Sequence, residues 1–124
     1  MNAFVQAYQN YASSPPTKSQ KDAEIEIILE TTRQLKTAAY KRKANFAEFA
    51  SCVHRNRKLW TILAVDVADT ANPLPDSLRA QLFYLSEFVQ DYSRKVLQDD
   101  LSIEPLLDVN IAVLRGLGGK GTQK

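Results

Sequence analysis

The chain has 124 residues, 44% of them hydrophobic and 24% charged, which fits one globular domain and leaves no low-complexity bulk. A domain of this size buries about two-thirds of the surface its unfolded chain exposes, enough for a core without disulfides or metal. The net charge is only +2, and no apolar run approaches the roughly 18 residues that a membrane-spanning helix needs.

The first stretch, "MNAFVQAYQNYASSPP", has no basic residue and no apolar core of signal-peptide length. Within it, Asn2 to Tyr11 places Phe4, Val5, Tyr8 and Tyr11 at spacings of three and four. This predicts a short amphipathic helix, which Pro15 and Pro16 prevent from continuing. Thr17 to Gln20 reads as a capping-box start. The helix behind it should run to about Lys43, with Ile25, Ile28, Leu35 and Ala39 on one stripe. Asn45 followed by Glu48 repeats the cap signal and opens a helix to about Asp69, where "DTANPLP" stops it. Pro75 suits the first turn of the next helix. That helix carries Leu78, Leu82, Leu85, Val89, Tyr92 and Val96 in regular four–three alternation. Ser102 caps a last helix, with Glu104 and Pro105 in its first turn and Gly116 at the position of a C-cap glycine.

These patterns predict an all-α domain, a bundle of four main helices with a short N-terminal helix. Residues 1–16 form the N-terminal helix and linker, 17–117 the bundle and 118–124 a glycine-rich mobile tail. The short connections "TANP" and "QDDLS" favour antiparallel neighbours.

The helix from Asn45 to Asp69 is apolar on more than one side. At about 100° per residue, Phe46, Phe49, Val53, Trp60, Ala64 and Val67 form one stripe. Leu59 and Ile62 fall on the opposite side, in a row with Arg55 and Asp66. Such a helix is either buried between neighbours or keeps a spare row for a partner's helix. Phe83 and Tyr84 point away from the stripe of their own helix. They form a second packing layer or a binding patch. Asn110 falls inside the apolar stripe of Ile103, Leu107, Ile111 and Leu114, and Asn56 borders the Trp60 stripe. Each amide needs internal hydrogen bonds, or it receives a partner's backbone.

Catalytic signals are absent. His54 is the single histidine and Cys52 the single cysteine. Two positions apart on a helix, their side chains face different ways, which argues against a Cys–His pair. Together they cannot make a zinc site. "GLGGKGT" follows the last helix instead of joining a strand to a helix, so it is not a phosphate loop. Asp99 and Asp100 lack a calcium-loop pattern. No cofactor and no metal are expected. A lone cysteine also points to a reducing, cytoplasmic location.

Residues 56–97, "NRKLWTILAVDVADTANPLPDSLRAQLFYLSEFVQDYSRKVL", followed by "IEPLLDVNIAVLRGL" at 103–117, carry a family likeness. The matching residues are Asn56, Leu59, Trp60, Asp66, Asn72, Leu74 and Pro75 in the first part. Leu78, Arg79, Ala80, Leu85, Glu87, Phe88, Lys95, Val96 and Leu97 follow, then Leu107, Asn110, Arg115 and Gly116. In this order, and with the opening "MNAFVQAYQNYA", the chain resembles the FlaF family of flagellar biosynthesis regulators. The resemblance implies a non-enzymatic cytoplasmic protein needed to make and export flagellin, as a secretion chaperone or a regulator of flagellin synthesis. It would work beside a second regulator, FlbT, which acts on flagellin mRNA. Flagellin's terminal segments become amphipathic helices only on assembly, so before export they need an apolar cover. From wheel positions, Leu59, Ile62, Phe83 and Tyr84 are the expected apolar contacts, with Arg55 and Asp66 setting orientation.

A rival expectation comes from charge. Arg33 to Lys58 holds eight Lys and Arg against one acid, Glu48, whereas from Trp60 onward nine acids face six bases. A basic segment of this kind can contact RNA, although its basic residues are scattered around two helices and match no RNA-binding motif that interleaves aromatics with them.

Overall fold

The computed structural model describes residues 20–118, and these form four helices and no strand. Helix α1 spans Gln20–Tyr40, α2 Phe46–Ala68, α3 Asp76–Asp99 and α4 Glu104–Gly118. The expected short N-terminal helix, the Thr17 cap and the glycine-rich tail lie outside the described residues.

The boundaries follow local chemistry. Asn45 caps α2 by accepting the Glu48 N–H on its side-chain oxygen at 3.1 Å. Pro75 sits one position before α3, at its N-cap, because an extended ψ of 149° there turns the chain into the helix. Asp100 ends α3 in the left-handed region, at φ 55°. The Ser102 hydroxyl accepts the Glu104 N–H at the start of α4. Gly116 does not stop α4. The helix continues to Gly118, and a side chain at Gly116 would meet nothing within 4 Å.

The helices pack as a ring. α1 lies against α2, α2 against α3, α3 against α4, and α4 closes on α1, with no close backbone approach across either diagonal. Successive helices run antiparallel, joined by connections of a few residues. Phe49, Val53 and Trp60 of α2 meet Leu35 of α1, Val89 and Val96 of α3 and Leu106 of α4 in one fully buried core.

One side chain, Arg42, closes the end of the bundle where α1 meets α2 and α3 meets α4. Arg42, between α1 and α2, donates to the backbone oxygens of Val96 and Leu101 at 2.8 and 2.7 Å and pairs with Asp100. Its guanidinium also sits over the Phe49 ring, 4.4 Å from the centroid. The Val96 carbonyl, left open near the C-terminus of α3, and the Leu101 carbonyl just beyond the helix are thus satisfied from across the bundle.

In the middle, the polar groups of the core meet one another. Asn110 of α4 accepts the Trp60 indole N–H at 2.8 Å and donates to Asn56 Oδ1 at 2.8 Å and Thr32 Oγ1 at 3.0 Å. Thr32 passes its own proton back to the Ile28 carbonyl. One amide therefore links α4 to α1 and, across the diagonal, to α2. Asn56 and Asn110 are both fully buried, so the structural reading of these two amides is the one their surroundings support.

Candidate functional site

The α2–α3 turn sets one wall of a surface groove. Asn72 donates from its amide nitrogen to the Asp66 carbonyl and carboxylate, at 3.2 and 3.3 Å. Its amide oxygen accepts the Leu74 N–H at 2.9 Å. Arg79 reaches back from α3 to the carbonyls of Val67 and Asp69 and to the Asp76 carboxylate. The turn is thereby fixed, and Leu74 is held against the side of the bundle.

Of the four neighbouring helix pairs, α3 and α4 approach each other least. They meet at their connection, where the Tyr92 hydroxyl donates to the Ser102 carbonyl at 2.7 Å. At the other end they leave a groove of about 600 Å³. Leu74, Leu78, Gln81, Leu82, Tyr84 and Leu85 line one side of it, and Ala112, Val113 and Gly116 line the other. None of its lining residues is charged. Leu78 is 38% exposed and Tyr84 70%. Farther along α3, Phe88 stacks on Tyr92 with centroids 5.5 Å apart and continues the apolar strip.

The two aromatics at 83 and 84 separate. Tyr84 faces the α3–α4 groove, while Phe83 faces a shallower depression of about 380 Å³ between α2 and α3, beside Ala64 and Val65. Phe83 is 43% exposed and Val65 58%. A depression of about 410 Å³ between α1 and α2 is ionic, lined by Glu30, Arg33, Lys41 and Glu48.

The row of Leu59, Ile62, Arg55 and Asp66 does not form a free surface. Leu59 is 8% exposed and points at Ile28, Leu63 and Val113. Ile62 is half-buried against the same core. Because α2 touches α1 and α3 at once, it buries a wider arc than one stripe, and the second apolar row is absorbed by packing. Asp66 is occupied by Asn72. Arg55 donates to Gln34 of α1 and lies against Cys52. In α4 the buried set is Leu106, Leu107, Asn110 and Val113, with Ile103 just before the helix, whereas Ile111 faces outward. Of the groove residues, sequence reasoning singled out only Tyr84 as a contact; it placed Leu78, Leu82 and Leu85 on the core stripe and missed Leu74, Gln81, Ala112, Val113 and Gly116. The signal present was indirect: an apolar Leu74 between two prolines and a helical glycine with open space beside it.

The basic segment is partly spent inside the molecule. Arg42 ties the bundle end, Arg57 donates to Gln90 of α3 at 3.1 Å, Arg33 pairs with Glu30, and Arg55 holds Gln34. Lys36, Lys41, Lys43 and Lys58 are exposed. Burial pushes the Cys52 thiol above its ordinary pKa, and its hydrogen bond to Glu48 adds to the shift. Among the described residues no group of three or more His, Cys, Asp or Glu side chains gathers as a metal site. No helix among them is long and apolar enough to cross a membrane.

A family profile described as "Flagellar protein FlaF" matches residues 4–117, nearly the whole chain. The chain belongs to the FlaF family. No curated protein and no solved structure matches it. The FlaF match reaches every described helix, so both groove walls, the α2–α3 turn and the Asn110 network all fall inside it. Its role is flagellum-related.

Proposed function

We propose that this FlaF-family chain is a non-catalytic binder of flagellin, a secretion chaperone that meets its client in the cytoplasm before export, and that the α3–α4 groove is the contact surface. The observation that carries the reading is the groove itself. It is uncharged, lined mainly by leucines with a tyrosine and Gln81, and open to solvent at the end of the bundle. An amphipathic helix needs such a surface for its apolar face, with anchors three to four residues apart. Leu78, Leu82 and Leu85 repeat at that spacing along one wall. Apolar burial also explains how a client helix that is unstructured before assembly is covered without any chemistry.

Purified protein mixed with flagellin should co-elute on size exclusion. Leu78→Asp and Tyr84→Asp should weaken co-elution at least several-fold, while Phe83→Asp, on the other side of α3, should leave it intact. Absence of co-elution by the unmodified chain removes the chaperone reading. Loss of binding in Phe83→Asp alone moves the surface to the α2–α3 depression.

A further inference from the structure

The outward face of α4 carries a charge pattern that α4 itself does not use. Asp108, Ile111, Ala112 and Arg115 recur at spacings of three and four, which puts them on one face of the helix, and all four are exposed. The opposite face holds the buried Leu106, Leu107, Asn110 and Val113. We propose that the protein forms a two-fold symmetric dimer in which α4 packs antiparallel on α4 of a second copy, so that each Asp108 pairs with Arg115 of the other chain.

The charges select this partner. Asp108 and Arg115 stand two turns apart, about 10 Å along the axis, too far to pair within one helix. Neither makes a hydrogen bond or an ion pair among the described residues. Acids on the other helices are matched to bases about one turn away: Asp91 pairs with Arg94 and Lys95, Asp76 with Arg79, and Glu30 with Arg33. On α4 the acid and the base instead bracket a small apolar patch. In an antiparallel pair, residues that face each other lie equally far from the two-fold axis. The axis that sets Asp108 opposite Arg115 passes between Ile111 and Ala112. Both ion pairs then form at once, and Ile111, 39% exposed in the single chain, meets Ala112 at the centre. The small Ala112 side chain lets the helices approach to the usual packing distance of roughly 8–10 Å. A parallel pair would set Asp108 on Asp108 and Arg115 on Arg115. Like charges so placed are repelled, so the pattern fixes direction as well as partner.

The face has an apolar shoulder on each side. Leu29, 45% exposed, lies one turn before Thr32, which bonds Asn110, so it flanks α4 on the α1 side. Tyr84, 70% exposed, flanks it on the α3 side. One helix face is smaller than the roughly 800 Å² that each partner gives to a standard interface, so the association expected is weak, in the micromolar range. Of the four face residues, Ala112 alone also lines the groove. The dimer therefore does not rest on the flagellin reading.

Sedimentation velocity of the full-length protein, from low micromolar to near-millimolar concentration, should show a monomer–dimer equilibrium. Asp108→Arg and Arg115→Asp should each weaken it about tenfold or more, since each puts two like-charged pairs in the interface. Both sites are exposed, so the helical fold is kept, which circular dichroism checks. Mixed in equal amounts, the two variants should associate with each other as tightly as the unmodified chain does with itself, because each supplies the charges the other lacks. Native mass spectrometry reads this mixed dimer from its mass. A monomer at every concentration overturns the proposal and leaves the face to a different partner. So does a dimer indifferent to either substitution, or a mixture that associates no better than its components.

Discussion

Asn110 concentrates more of the core's polar chemistry than any other side chain. It satisfies Trp60, Asn56 and Thr32 together, inside a site from which water is excluded. Replacing it with leucine leaves the indole N–H and the Asn56 oxygen without partners, each costing about 1–3 kcal/mol. Asn110→Leu should therefore lower unfolding free energy by about 3 kcal/mol in urea titrations. Asn56→Leu should cost clearly less, because Asn56 contributes one bond to the network and its own amide nitrogen has no partner among the described residues. Cys52 supplies a second residue-level check. Burial raises its pKa, so the native thiol stays protonated at neutral pH, and only the thiolate alkylates. Iodoacetamide should label it more than about tenfold more slowly in the folded chain than in urea. By linkage, this group's contribution to stability is complete below the ordinary thiol pKa and is lost as pH rises through the folded value.

At the scale of the helix, α3 shows how one element serves two neighbours. Toward α2 it presents the small buried residues Ser86 and Ser93, and toward α4 it presents Leu82 and Leu85. Ser86 donates to the Trp60 carbonyl at 3.1 Å, while the Ser93 hydroxyl has no partner among the described residues. Ser93→Ala should thus raise thermal stability slightly, and Ser86→Ala should lower it by about 1 kcal/mol. Gly116→Ala should also stabilise α4, by about 1 kcal/mol, since the methyl meets no neighbour and helix propensity improves. The boundaries of these helices were legible because caps and prolines act locally: Asn45 with Glu48, the proline pair around Leu74, Ser102 before Glu104. Which residues face inward was less so. Leu59 and Ile111 exchanged their expected places because inward direction depends on how many neighbours a helix has, and periodicity along one helix does not encode that. Tyr84 stood out as an off-stripe aromatic. Ala112 and Gly116 did not, because the groove exists only through the divergence of α3 and α4.

For the molecule as a whole, the basic surface and the groove lie on different helices. The exposed lysines of α1, α2 and their connection lie away from the groove, and the groove lining carries no ionisable side chain except the tyrosine hydroxyl. A complex formed in the groove should lose little affinity between 50 and 300 mM salt. Contact with phosphates would instead give a steep log–log decline. Folding of the bundle does not require the groove to be filled, since the core beneath it is closed by Val89, Leu106 and Val113. Leu82, Leu85 and Val113 serve both core and groove, while the exposed parts of Leu78 and Tyr84 are left for a helix to cover. The most direct test is hydrogen–deuterium exchange of the protein with and without flagellin. Added protection should concentrate in residues 74–88 and 110–116. Protection confined to α1 and α2, or none at all in a complex shown to form, would contradict a docking site between α3 and α4.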